Sequence, residues 1–276
     1  MNRGRLRYRI VLAGSIAGIA AAHAAQPKAT AKSDPARMTV ADISACMRAN
    51  IVDRGSLRDF QVISTDREGK TNGFKVKLFW RPVDAGESRM VLQVLEPEAY
   101  KGTAYLMISK PQAEDVVHVY LPALDRVQPI TGTEMSQPLW GTDFTLAEVK
   151  QVQGVLLDGQ TQRLADATIS DHKAFTLDTA TDVEETGYKR VASFVDQKTC
   201  TLLKTELYAD SSGPRKILEA DLSTLLEAGQ YWLMLGYKMR DLRAGTQTEL
   251  KLSDIYLKEE LPRALFTPEG FYKPVQ

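Results

Sequence analysis

The side chains best suited to chemistry in this chain are two cysteines, three histidines and one knot of carboxylates, and their spacing assembles no reaction centre. His118 alternates with Val117 and Val119, His172 sits in Ser170-Asp171-His172-Lys173, and His23 lies near the N-terminus. Zinc ligands recur at short fixed spacings, and none of these residues stands at such a spacing. H-E-x-x-H, G-x-S-x-G and the phosphate-cradling glycine loop are all missing. A cysteine nucleophile needs an unpaired thiol and a partner histidine, and a disulfide between Cys46 and Cys200 would remove that option. Asp178, Asp182, Glu184 and Glu185 come close together. They occupy a polar stretch between two strands, without the apolar cover that raises a carboxyl's pKa for acid catalysis. The sequence therefore predicts no catalytic residue, no metal and no cofactor, and the chain reads as a binding protein. A hydrolase with an unrecognised site is the most remote reading.

What stands out is apolar. Phe74, Val76, Leu78 and Trp80 alternate with Lys75, Lys77 and Arg81, which is the pattern of a half-buried antiparallel strand. The same alternation places Met90 and Leu92 together, then Leu106 and Ile108, then Tyr231, Leu233, Leu235 and Tyr237. These twelve residues are the candidate lining of an apolar cavity. A barrel-like sheet either fills such a face with side chains or leaves it hollow, and pattern alone does not say which.

The elements that must hold these residues are mostly strands. Beyond 74–81, period-two runs cover 88–95, 103–109, 116–121, 126–130, 173–177, 188–195, 200–208, 215–219, 231–239 and 246–255. About eleven short strands divided by Gly, Pro and Asp argue a mainly β, α+β chain with an antiparallel sandwich or barrel. Helix signals are few. Thr39-Val40-Ala41-Asp42 opens a helix with a capping box, Val40, Ile43, Met47 and Ile51 form its stripe, and it is expected to end near Asn50 to Arg54 with Gly55 as the stop. Thr145-Leu146-Ala147-Glu148 opens a second helix to Gln153, and 222–228 reads as a third short one.

The first 24 residues have the three parts of a secretory signal peptide. Arg3, Arg5, Arg7 and Arg9 precede the apolar run Ile10–Ala22, and Ala22-His23-Ala24 is a small-x-small cleavage site. The run is about 13 residues, short of the ~20 that a spanning helix needs. Cleavage after Ala24 and export are the expectation, with a retained N-terminal anchor as the alternative. Residues 25–38, rich in Ala, Pro and Lys, read as a disordered leader, and 39–276 as one domain. Of the 35 Lys and Arg, four fall in the first 24 residues, leaving 31 against 35 Asp and Glu, so nothing points to nucleic acid. An even cysteine pair in an exported chain reads as a disulfide, Cys46–Cys200, with two free thiols as the alternative. Ile43-Ser44-Ala45-Cys46 mimics a lipoprotein cleavage box but lies too far beyond the apolar run to serve as one.

Three stretches carry a family resemblance: Val116–Val127 with its Tyr120-Leu121-Pro122-Ala123-Leu124 run, Leu139-Trp140-Gly141-Thr142-Asp143-Phe144, and Phe194–Cys200. Together they resemble the outer membrane lipoprotein-sorting family of exported bacterial proteins, which is similar in fold to the periplasmic carrier LolA and the stress-sensor subunit RseB. The resemblance covers about residues 40–276. It implies a curved, unclosed antiparallel sheet whose helices form a lid over an apolar cavity for acyl chains. The cysteine bridge would then tie the first helix to the sheet. It also implies a sheet arginine that holds the lid, for which Arg81 and Arg89 are candidates. Implied partners are lipid or lipoprotein acyl chains, with a possible inner-membrane transporter or outer-membrane receptor. The implied place is the periplasm. The alternative is an RseB-like interaction or sensor module, or an accessory of a lipid-exporting transporter.

Overall fold

The computed structural model describes residues 10–12, 34–83, 87–110, 113–156, 158–257 and 260–274. The cleavage site after Ala24 and most of the proposed signal peptide and leader lie outside these residues. Within the apolar run, Ile10–Leu12 (β1) runs parallel to Ile255–Leu257.

The first helix, α1, spans Val40–Ala49. The Thr39 hydroxyl accepts from the Asp42 amide at 3.2 Å, and the Asp42 carboxylate accepts from the Thr39 amide at 2.8 Å. The helix ends at its cap Asn50, within the expected 50–54 range and before Gly55. Asn50 is drawn into tertiary bonds: its Nδ2 donates to the Thr199 carbonyl at 2.6 Å, and its Oδ1 accepts from the Trp232 amide at 2.9 Å.

An antiparallel meander follows: β2 (Ser56–Thr65), β3 (Thr71–Pro82), β4 (Ser88–Glu96), β5 (Ala104–Ser109), β6 (Val116–Leu121) and β7 (Arg126–Ile130). The chain then passes through α2 (Leu146–Val152) to a second meander. This comprises β8 (Gln160–Ile169), β9 (His172–Ala180), α3 (Val183–Thr186), β10 (Arg190–Asp196), β11 (Leu202–Tyr208) and β12 (Lys216–Ala220). A separate hairpin, β13 (Leu225–Ala228) and β14 (Tyr231–Met234), precedes β15 (Gly236–Asp241) and β16 (Thr246–Leu257). The sheet has 14 strands in the order β7-β6-β5-β4-β3-β2-β16-β15-β12-β11-β10-β9-β8, with β1 also on β16. The end strands β7 and β8 do not pair, so the sheet stays open. Because β7 and β8 form opposite edges, the connection carrying α2 must cross the whole face. That crossover is the cover.

Strand alternation gives each face its own core. Inward residues form two clusters, one around Phe60, Phe74, Leu78 and Leu92, the other around Phe175, Leu207 and Met239 with Ile43 and Met47 of α1. The outer face of the first meander is also covered. Phe79, Val91, Ala104 and Leu106 pack there against Leu261, Leu265, Phe266 and Phe271 of the C-terminal segment.

Three sequence expectations change. Residues 222–228 are a 3-10 turn followed by strand β13, with Asp221 capping the turn. The run 231–239 breaks in two at Gly236, where a Cβ would stand 3.1 Å from side-chain atoms of Asp221 and Thr224. Strand β8 was not expected. It is an edge strand with both faces largely exposed, so it lacks an apolar period.

Candidate functional site

The site begins with β2. Its inward positions are Ser56, Arg58, Phe60, Val62 and Ser64, all buried. Phe60 and Val62 join Val76, Leu78, Leu92 and Leu250 as the floor of an apolar cavity of about 40 Å3. Its roof is the crossover: Leu139, Trp140, Thr142 and Phe144, then Val149, Val152 and Gln153 at α2.

A buried polar network pins that roof. Trp140 and Gly141 are both left-handed, with φ of 52° and 74°, and they turn the chain back over the sheet. The Trp140 ring packs against Phe74 and Tyr105, with centroids 6.1 and 5.8 Å apart. Ser64 donates to the Gly141 carbonyl at 2.9 Å. The Asp143 carboxylate accepts from Thr246 and Thr248 of β16, the latter at 2.7 Å. Thr145 caps α2, and Glu148 closes the capping box. Glu148, fully buried, meets Lys216 Nζ at 3.2 Å and accepts from the Tyr188 hydroxyl. Lys216 also donates to the Asp143 carbonyl at 2.7 Å. Burial first, then the adjacent Glu148 charge, pushes the Tyr188 hydroxyl far up, so it stays a donor.

Two further ties hold the cover. Cys46 of α1 is disulfide-bonded to Cys200, with Cα atoms 5.8 Å apart. The hairpin hangs by lighter bonds: Trp232 to Asn50, and the Tyr231 hydroxyl to Asp53 at 2.8 Å.

The comparisons with known proteins agree with this geometry. A family model described as "-like: Uncharacterized protein" matches residues 86–272, most of the chain. The chain belongs to that family. Among solved structures, a candidate outer membrane lipoprotein-sorting protein domain from Vibrio parahaemolyticus superposes with a TM-score of 0.73 at 20% identity, covering 84% of this chain and 97% of its own. A DUF1329 family protein from Desulfovibrio piger gives 0.73 at 19%, covering 82% and 95%. A LolA superfamily protein from Nitrosomonas europaea gives 0.64 at 16%, covering 83% and 98%. No protein of curated function matches the sequence. The fold is thus LolA-like, a mainly β, unclosed antiparallel sheet with helical cover.

In this LolA-like chain, Val76, Leu78 and Leu92 line the cavity, with Phe74, Trp80, Met90, Leu233 and Leu235 in the cluster around it. Tyr237 lies in the neighbouring cluster, and Tyr231 belongs to the hairpin. Leu106 and Ile108 are corrected. They point to the outer face under the C-terminal segment, and the inward residues of β5 are Tyr105 and Met107. A uniform apolar strand buried on both faces gives no sign of which parity looks inward. Arg81 and Arg89 also face outward. Arg81 lies over the Phe266 ring at 5.6 Å, and Arg89 bonds Glu87 and the Phe266 carbonyl. Arg58 of β2 faces inward instead. The Leu139–Phe144 turn has no period that would mark it as a roof, and Phe60 and Val62 lie on β2, which the strand pattern from residue 74 onward does not include. The carboxylate knot is dispersed: Asp178 pairs with Arg190 at 2.5 Å, Asp182 caps α3, and Glu184 is exposed. His172 bonds Asp196 at 2.7 Å, and the described residues hold no cluster able to bind a metal.

Proposed function

We propose that the chain is a periplasmic carrier that takes up acyl chains of a lipid or lipoprotein between its sheet and cover, for sorting toward the outer membrane. The observation that carries this reading is the unfilled apolar cavity between β2, β3, β4, β16 and the crossover, in a fold shared with lipoprotein-sorting proteins. Ligand pockets usually measure roughly 300–1,000 Å3, so about 40 Å3 is the closed state, and uptake requires the cover to move outward. The driving force is the removal of methylenes from water, about 0.8 kcal/mol each. Release then needs a membrane or receptor of comparable affinity, and no bond is broken. An inner-membrane transporter as donor and an outer-membrane receptor as acceptor complete the reading.

Uptake of a fluorescent fatty acid tests it. Val76→Phe, which directs a ring into the cavity, is expected to abolish uptake while unfolding stays cooperative. Undiminished uptake by that variant would place the ligand elsewhere. The edge strand β8, ten residues and largely exposed, favours a second reading in which a partner adds a strand there. Protection of β8 amides from exchange by a partner, without lipid, would support it.

A further inference from the structure

Along β2 the inward positions change character in order. Arg54, just before the strand, lines an open cleft of about 840 Å3 with Arg81, Arg263, Asp53 and Glu260. Arg81 and Arg263 carry no carboxylate partner among the described residues, whereas Arg54 bonds Asp53 at 3.3 Å. Ser56 and Arg58 come next, and then Phe60 and Val62 on the cavity floor. Arg58 is only 9% exposed and Ser56 is fully buried. Neither the Ser56 hydroxyl nor Arg58 Nε has a hydrogen-bond partner, and no described carboxylate lies within ion-pair distance of Arg58. In the ladder Arg58 stands opposite Leu78, which lines the cavity, and opposite Ile255. Arg58 and Val62 are four residues apart, about 13 Å along the strand.

Burial pulls the Arg58 guanidinium down to about 10, so it is still charged at neutral pH. A buried cation without counter-charge or full hydrogen bonding is expensive, and it is an acceptor's natural mate. The unpartnered charge and the apolar floor thus follow one another along β2 in the order of an amphiphile's parts.

We propose that Arg58, with Ser56, binds the anionic head of the ligand, so that the site selects a single-headed acidic amphiphile over a neutral acyl ester. The head's oxygens accept from Arg58 and Ser56, and the chain runs past Phe60 toward Val62. This rests on the acyl-binding reading above and narrows it to an acidic lipid, since a lipoprotein's acyl esters carry no anionic head. The shared chemistry is an anionic oxygen head, carboxylate or phosphate.

The test is competition binding of three ligands with one oleoyl chain: oleate, oleoyl lysophosphatidate and the neutral monoolein. Wild type is expected to bind at least one acidic ligand about tenfold or more tighter than monoolein, since hydrogen bonds to a charged group carry that much discrimination. Which acid wins separates carboxylate from phosphate. Arg58→Gln is expected to bring the acid-to-neutral ratio near one, and Arg58→Lys to restore part of it. Equal affinity of wild type for all three ligands overturns the assignment of Arg58 and leaves acyl binding intact. Binding of none overturns both. A ratio unchanged in a folded Arg58→Gln protein also overturns it. Because the wild-type ratio needs no variant, a failure of Arg58→Gln to fold does not remove the test.

Discussion

Arg58 keeps a positive charge on the inner face of the sheet, and folding is weaker for it. Burial pulls its pKa down to about 10. A base with a depressed folded pKa is a cost while charged, relieved only as pH rises above about 10 toward the ordinary arginine range. Arg58→Met, which keeps the stem and removes the charge, is therefore expected to raise stability by up to about 3 kcal/mol. A lowered thermal midpoint would show that the guanidinium is satisfied in the folded state. Glu148 and Lys216 present the opposite case, because each is the other's buried partner. Lys216→Met alone is expected to cost about 3–5 kcal/mol in urea unfolding, and the double replacement Glu148→Leu/Lys216→Met to recover most of it. Equal loss in the single and double variants would contradict the pairing. These residues were the least legible in the sequence. Arg58 is followed at once by Asp59, whose side chain instead pairs with Lys77 across the outer face, so the dipeptide reads as ordinary surface. Glu148 was visible as a capping residue, but its lysine lies 68 residues away.

The covering elements differ in how firmly they are held. The disulfide anchors α1, the Glu148–Lys216 network anchors α2, and the hairpin β13–β14 has two hydrogen bonds to the segment around Asn50 and Asp53. Native-state hydrogen exchange is expected to find the hairpin amides opening at lower free energy than those of α2. Equal protection would remove the hairpin as the gate. The Tyr231 hydroxyl bond, ahead of the opposing effect of partial burial, holds the Asp53 carboxyl below its ordinary range. A depressed acid contributes stability above its unfolded pKa, near 3.9, and loses it as pH falls through the folded value. Hairpin exchange should thus quicken below about pH 4 in wild type, with no such step in Asp53→Asn. Reduction of Cys46–Cys200, which closes a 154-residue loop, should cost about 5 kcal/mol by loop entropy. Helices α1 and α2 were legible because capping boxes are local chemistry. The hairpin was not, because β13 takes its strand from pairing with β14 rather than from its own pattern.

At the scale of the molecule, the design is an open sheet whose own chain crosses from one edge to the other. Alternation of apolar residues announced an antiparallel, mainly β fold. Strand order was not readable, because β2 and β16 meet only through contacts about 190 residues apart, such as Ser253 with the Asp59 carbonyl. The C-terminal cover of the outer face was likewise hidden in an irregular segment, and it is what misassigned Leu106 and Ile108. A sheet buried on both faces but left with an apolar gap on one is the arrangement expected of a closed carrier. The most direct test is native mass spectrometry of protein purified from the periplasm without detergent, followed by organic extraction. A discrete bound mass that extracts as an acyl lipid is the expected result. A protein that emerges empty and stays empty after incubation with oleate would contradict the carrier reading and leave the sheet edge as the working surface.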